Sequence, residues 1–309
     1  MAFRLFMKLC VFTQQHRGKC LAGSSLGLFA VNVFYHVFPE QTFRELYQEW
    51  YKGERTALSD RLRAQFRDVL DETRLDSSGF TPFAAYGFQI ISAGVPWLPG
   101  GCLIGVPTNY NSRMEDGTCI ADRVVLVNGQ EVDWTREPGI SLQDSLTLSV
   151  NAQKFSMARE ALHAQTGGPI LRASVAPLSL TAVCVSAVAV KQHLGLYSRP
   201  ILFRGFYNVL IVLLGLTGYC LGYDMVSQFL DYKADRKAAA ISKAYARGGL
   251  ELYEKILAHN KLLRGIFGKK GETTYASNGN LFPGYLRQKH ASYTSRRDRI
   301  KHALEKRQE

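Results

Sequence analysis

Three uncharged, apolar runs of 18–19 residues stand out as span-like: 20–38 (CLAGSSLGLFAVNVFYHVF), 173–190 (ASVAPLSLTAVCVSAVAV) and 205–223 (GFYNVLIVLLGLTGYCLGY). Helices of soluble proteins keep a polar stripe, and a run of ~20 apolar residues spans a ~30 Å hydrocarbon core. The pattern therefore predicts three transmembrane helices, one at 20–38 and a hairpin formed by 173–190 and 205–223. The second run is rich in Ala, Ser and Val and contains Pro177. It also reads as a buried core helix, although small residues suit close helix packing in lipid.

Elsewhere the periodicity belongs to folded, water-facing segments. Leu58, Leu62, Phe66 and Val69 recur at helical spacing within 57–73, and 41–53 (QTFRELYQEWYKG) reads as a second amphipathic helix. Residues 87–107 (GFQIISAGVPWLPGGCLIGVP) and 123–134 (RVVLVNGQEVDW) are β-rich and broken by Gly and Pro, with NGQ as a turn. One helix is expected over 143–165, ending at GGP. Long helices are expected over 224–268, with Gly248-Gly249 as the break between them. The expected fold class is a membrane α-helical protein of three spans, one plus a hairpin, with an α+β extramembrane domain built from two chain segments.

Charge changes this picture by giving it a direction. The chain carries 38 Lys+Arg against 26 Asp+Glu, a net charge of +12. The N-terminal stretch holds Arg4, Lys8, Arg17 and Lys19 without an acid, and the loop 191–204 holds Lys191, Arg199 and Arg204, again without one. Basic residues in short flanks mark the inner face, so these two share it. Residues 39–172 carry 17 acids and 13 basics, and residues 224–309 carry 9 acids and 18 basics. Long segments cross regardless of charge, so both are expected on the outer side, where their net charges of −4 and +9 are complementary. The resulting order is 1–19 basic segment, 20–38 span, 39–172 α+β segment, 173–190 span, 191–204 basic loop, 205–223 span and 224–309 helical basic segment. The N-terminal flank resembles a mitochondrial import sequence, which makes the inner side the matrix and the outer side the intermembrane space. The basic excess points to anionic lipid and not to nucleic acid, since no helix-turn-helix, zinc-finger or RNP-like signature is present. The run SRRDRIKHALEKR (295–307) is either a solvated helix or a lipid contact.

Candidate chemistry is sparse. Six cysteines form no CxxC, CxxxC or twin CX9C array, so no thiolate metal site is indicated; Cys102 and Cys119 could pair in an oxidising compartment. His16, His36, His193, His259, His290 and His302 show no ligand spacing and read as interfacial or surface residues, with Tyr35-His36 an anchor at the end of the first span. The sharpest feature is REALH, Arg159 to His163. On a helix, HExxH holds zinc with two His at i and i+4 while the Glu serves as general base. Glu160 and His163 fit, but Arg159 stands where the first His would be. DYKAD follows, with Asp231 and Asp235 four apart, and resembles the third-ligand helix of membrane-embedded HExxH gluzincin peptidases. LPGG (98–101) loosely resembles their substrate-edge strand. Arginine stays protonated and offers a metal no lone pair. The expectation is a vestigial site of Arg159, Glu160, His163, Asp231 and Asp235, with Arg159 paired to Asp231 or Glu160 where zinc would sit, and no catalytic, metal or cofactor-binding residues. An ordinary amphipathic helix face remains the plainer reading of REALH.

Several longer stretches carry a family resemblance: GLFAVNVFYHVFPE (27–40), AQKFSMARE (152–160), KAYARGGLELYEKIL (243–257) and GKKGETTYASNGN with RQKHASYTSRRD (268–298). In the same order over nearly the whole chain, they are similar to the transmembrane protein 177 family. The resemblance implies a multi-pass protein of the mitochondrial inner membrane that acts as an accessory in cytochrome c oxidase assembly. Its implied partners are newly made oxidase subunit 2 and the inner-membrane assembly chaperone that holds this subunit, with membrane lipids besides. It implies no catalytic residues and no cofactor. Three functions stay open on these grounds: a non-catalytic scaffold, a metallopeptidase with unusual ligands acting on inner-membrane proteins, and a lipid-binding organiser.

Overall fold

The architecture comes from a computed structural model that describes residues 2–51, 53–111, 126–127, 130–284 and 287–306. Helices α1 (Ala2–Gln15) and α2 (Arg17–Val37) lead into a π-helical turn (Glu40–Arg44), the short α3 (Glu45–Tyr47), and a small hairpin of β1 (Trp50–Tyr51) and β2 (Glu54–Arg55). Helix α4 (Asp60–Thr73) starts where the Ser59 hydroxyl accepts the Leu62 amide at 3.3 Å, a side-chain cap on an otherwise orphan donor. Strands β3 (Phe80–Ala85), β4 (Ile91–Gly94) and β5 (Cys102–Pro107) follow, then the short pair β6 (Leu126–Val127) and β7 (Gln130–Glu131). Helices α5 (Glu137–Leu146), α6 (Val150–Gln165), α7 (Gly168–His193), α8 (Ile201–Ile241), α9 (Lys243–Ile266), α10 (Lys269–Thr274) and α11 (Tyr293–Glu305) complete the chain.

Contacts divide it into two units. The first comprises 1–34 and 169–226, and the second comprises 35–168 and 227–309. In the first unit, α2, α7 and α8 each carry an apolar window long enough to cross a membrane, with 0%, 6% and 6% of that window buried by protein. Side chains so exposed and so apolar have lipid as their solvent, and the chain is a membrane-embedded helical protein. Helices α7 and α8 approach closely at Gly215, where a Cβ would lie 2.6 Å from Val183 Cγ2. The Tyr207 hydroxyl donates to the Ala187 carbonyl at 3.3 Å, and Ser25 and Thr181 hydroxyls meet at 3.4 Å.

The second unit is the α+β part. Strand β5 is central, parallel to β3 and antiparallel to β4. One core joins Leu62, Phe66 and Val69 of α4, Phe155 and Ala158 of α6, Ile104 and Val106 of β5, Tyr253 of α9 and Ile300 of α11. A second gathers Phe43, Phe83, Ala85, Ala93 and Leu103 on the other side of the sheet.

Four expectations need correction. Gly248-Gly249 does not break the C-terminal helices. Both glycines lie inside α9, and the interruption falls at Ser242, which is extended and caps the Tyr245 amide. The glycines instead let α9 press onto α6: a Cβ on Gly248 would lie 2.3 Å from the Asn151 carbonyl oxygen, and one on Gly249 would lie 2.6 Å from the Phe155 ring. The helix expected over 143–165 is two helices, parted at 147–149 where Ser149 caps the Ala152 amide. The amphipathic helix expected at 41–53 stops at Tyr47, because Gln48 turns extended and the chain enters the β1–β2 hairpin. LPGG is not part of a strand; it lies in the turn joining β4 to β5, with Leu98 and Gly101 amides bonded back to Val95 and Leu98 carbonyls. Cys119 and the NG of the expected turn lie outside the described residues.

Candidate functional site

Helix α6 is buried along most of its length, so its polar residues must find partners inside protein. Arg159, Glu160 and His163 sit on it, and the four-residue spacing of Asp231 and Asp235 turns both carboxylates of α8 inward. Arg159 donates from Nη1 to Glu160 Oε2 and from Nη2 to Asp231 Oδ1, both at 2.8 Å. Its Nε lies 3.4 Å from Asp235 Oδ1. The structure thus brings four of the five sequence-derived residues into one ionic cluster.

The other members come from distant parts of the chain. Arg296 of α11 grips Asp235 with both prongs, Nε to Oδ2 at 2.7 Å and Nη2 to Oδ1 at 2.8 Å. The Tyr253 hydroxyl of α9 donates to Asp235 Oδ1 at 2.7 Å, and the Arg296 guanidinium stacks 4.7 Å from the Tyr253 ring centroid. Ahead of α11, His290 Nδ1 lies 3.1 Å from Asp231 Oδ2, and the Ala291 amide donates to the same oxygen at 3.3 Å. From β4, the Ser92 hydroxyl donates to Glu160 Oε1 at 2.6 Å. Three carboxylates and two guanidiniums come from α6, α8 and α11, and with Ser92 of β4 and Tyr253 of α9 the cluster draws on five elements, with His290 at the solvent side.

Burial penalises the charges of Glu160, Asp231, Arg159 and Arg296, and the pairing outweighs it. Burial alone would raise the Glu160 carboxyl, but Arg159, His163 and the Ser92 hydrogen bond hold it below the usual range. Asp231 is opposed by burial in the same way and is held far down by His290, Arg159 and Arg296. Against their own burial, the carboxylates hold Arg159 and Arg296 protonated. Burial and the Asp235 carboxylate push the Tyr253 phenol well up, so it stays a donor. Removing one partner from such a group typically costs ~3–5 kcal/mol, because it strands a buried charge.

His163 acts on the cluster through Glu160, whose carboxyl it helps to hold down. It is buried one turn beyond Arg159, and its ring lies against Gly168, where a Cβ would be 3.3 Å from Cε1. Zinc does not fit this donor set. The guanidinium of Arg159 bonds both Glu160 and Asp231, and a catalytic zinc needs three protein ligands with lone pairs. Among the described residues no three His, Cys, Asp or Glu side chains converge as a metal site.

Arg296, Tyr253, Ser92 and His290 were not legible as members. Arg296 is one of several basics in SRRDRIK, a run expected to be solvated or lipid-facing, yet it is 4% exposed. Its signal is amphipathic spacing: Arg296 and Ile300 are i and i+4, and both are buried on α11. His259, expected at a surface or interface, is largely enclosed beside Phe88, with Nδ1 3.3 Å from the Ser145 hydroxyl, and burial pulls its imidazole down to about 4. His36, at the end of α2, accepts the Gly94 amide at 3.2 Å.

Comparison with known proteins adds the family. No solved structure matches this chain. It is 59% identical over 295 residues to a Xenopus laevis protein named Transmembrane protein 177, covering 95% of both chains. Proteins of the same name from Danio rerio and Homo sapiens are 49% and 36% identical, with 97% of both chains covered in the first case and 95% of this chain and 94% of the relative in the second. The family profile described as Transmembrane protein 177 matches residues 121–308. Near-complete coverage at these identities places this chain in the transmembrane protein 177 family.

Proposed function

We propose that this chain is a non-catalytic accessory protein of the mitochondrial inner membrane, which supports cytochrome c oxidase biogenesis by stabilising the assembly chaperone of newly made subunit 2. The observation that carries the non-catalytic half is the closed ionic cluster. Glu160, the position of a general base, is buried, with one carboxylate oxygen bonded to Ser92, the other to the Arg159 guanidinium, and its basicity lowered by that pairing. A base must keep a lone pair within reach of water or substrate. The choice of partner and membrane rests on the family resemblance and on the acid-free, basic N-terminal flank.

Orientation belongs to the same proposal: the N-terminus and loop 191–204 in the matrix, and 39–172 and 224–309 in the intermembrane space. Its support is the composition of the second unit, whose core takes residues from both sides of the hairpin. Two segments can share a core only on one side of a bilayer. The alternative of an active metallopeptidase would need a different donor set, since Arg159 bonds both Glu160 and Asp231.

One experiment separates these readings. Cells lacking the protein are complemented with Glu160→Gln, and the abundance of subunit 2 and of its chaperone is followed beside that of the variant itself. Restoration in proportion to variant abundance supports the scaffold, whereas loss at full abundance supports the peptidase. One tightly bound zinc per purified chain also overturns the scaffold reading. A C-terminal tag cut by protease only after outer-membrane rupture supports the orientation; protection until detergent is added refutes it.

A further inference from the structure

Between Asp76 and Arg113 the sequence contains no Asp, Glu, Lys or Arg, although this stretch folds as sheet and turns, not as a span. Its central turn, Val95–Gly101, joins β4 to β5 and carries Trp97, which is 55% exposed. Three contacts tie this hairpin to the points where spans end. A Cβ on Gly100 would lie 2.7 Å from the carbonyl oxygen of Val37, the last residue of α2. One on Gly167, the residue before α7, would lie 3.1 Å from the Trp97 ring. Gly94 donates its amide to His36, also at the end of α2.

We propose that the Val95–Gly101 turn is an interfacial foot, with Trp97 seated in the headgroup region of the same bilayer that holds α2, α7 and α8. The turn is chemically suited to that solvent. Tryptophan concentrates at membrane–water boundaries, where an apolar ring and one N–H donor are both served. Backbone amides are costly to place away from water unless they are bonded. Here Pro96 and Pro99 have no amide hydrogen, and the amides of Val95, Leu98 and Gly101 are bonded within the hairpin. Phe38, next to the end of α2, is also 46% exposed.

A second exposed tryptophan provides the contrast. Trp50 is 51% exposed on the β1–β2 hairpin, but Arg55 lies over its ring at 5.6 Å and Glu54 is on the paired strand. Charge at that hairpin belongs in water.

The test uses the full chain in phosphatidylcholine/cardiolipin liposomes, as two single-tryptophan forms that retain wild-type circular dichroism. The double substitution W50F/W134F keeps Trp97, and W97F/W134F keeps Trp50. Trp97 emission should be blue-shifted, quenched more by lipids brominated near the glycerol end of the acyl chain than near its methyl end, and several-fold less sensitive to iodide than Trp50 emission. Equal iodide sensitivity of the two tryptophans overturns the proposal. Protection of Trp97 from iodide and brominated lipid alike also overturns it, by placing protein on the turn. If the double substitutions do not fold, the wild-type chain labelled with fluorotryptophan gives the same readout. One fluorine resonance broadened by headgroup-proximal spin-labelled lipid is expected, and none refutes the foot.

Discussion

From Ile201 onward, α8 turns Leu202, Phe206, Leu213 and Leu216 outward, each more than half exposed to its surroundings. From Ser227 the same helix turns Leu230, Asp231, Ala234, Asp235 and Ala238 inward, each almost wholly covered. The two halves share one continuous backbone and reverse the usual rule: the apolar half faces out and the ionised half faces in. The difference lies in the solvent. Lipid accepts leucine without needing protein to cover it, whereas carboxylates below the span can be buried because Arg159, Arg296, Tyr253, His290 and Ser92 replace the lost water.

The comparison can be broken at its ionic end first. Arg159→Ala leaves Glu160 and Asp231 without their shared cation, and should lower unfolding stability in detergent by roughly 3–5 kcal/mol. A denaturant midpoint unchanged from wild type would mean that the cluster is not formed. Placing an acid in the lipid-facing half is nearly as costly: Leu213→Asp should disfavour insertion by about 3 kcal/mol, read as reduced membrane integration. Gly248→Ala probes the contact that holds α9 on α6. With the new Cβ 2.3 Å from a backbone oxygen, the helices must part, and a loss of roughly 1–3 kcal/mol is expected by thermal unfolding.

Acid should weaken the second unit in two stages. His259 is neutral in the fold because burial lowers it from 6.5 to about 4. The unfolded chain thus binds the extra proton between those values, and stability is full above pH 6.5 and declines as pH falls towards 4. By pH 5 the loss is of order 2 kcal/mol. His259→Gln should flatten that window in urea midpoints measured at pH 7.5 and 5. Below about pH 4 a further loss is expected as Glu160 and Asp231 protonate, because both carboxyls are depressed in the fold and their contribution lies above the unfolded value. The smallest effect belongs to the outer half of α8. Leu202→Ala removes a side chain that is 85% exposed, and should change stability by under about 0.5 kcal/mol.

The spans were readable because ~20 apolar residues without a Gly- and Pro-broken β pattern have few solutions, and α4 was readable because Leu62, Phe66 and Val69 repeat at one helical face. Arg159 with His163, and Asp231 with Asp235, were readable as pairs on helix faces, since spacing along one helix is local. A contact of Arg159 with Asp231 or Glu160 was expected from the likeness to the peptidase helices; the bonds brought by Arg296, Tyr253 and Ser92 were not, because those residues come from elements far away along the chain. The glycine pair in α9 misled for a related reason. Glycine permits both a break and a close approach, and only the position of Asn151 and Phe155 on the facing helix chooses between them.

The sequence by itself determined which segments lie in lipid, because transfer of a side chain to hydrocarbon depends on that side chain and its neighbours along the chain. Only the tertiary structure decided what the buried charges do. An ion pair depends on separation in space, and it was the packing of β4, α6, α8, α9 and α11 that set Ser92, Arg159, Asp231, Asp235, Tyr253 and Arg296 within hydrogen-bond reach of one another.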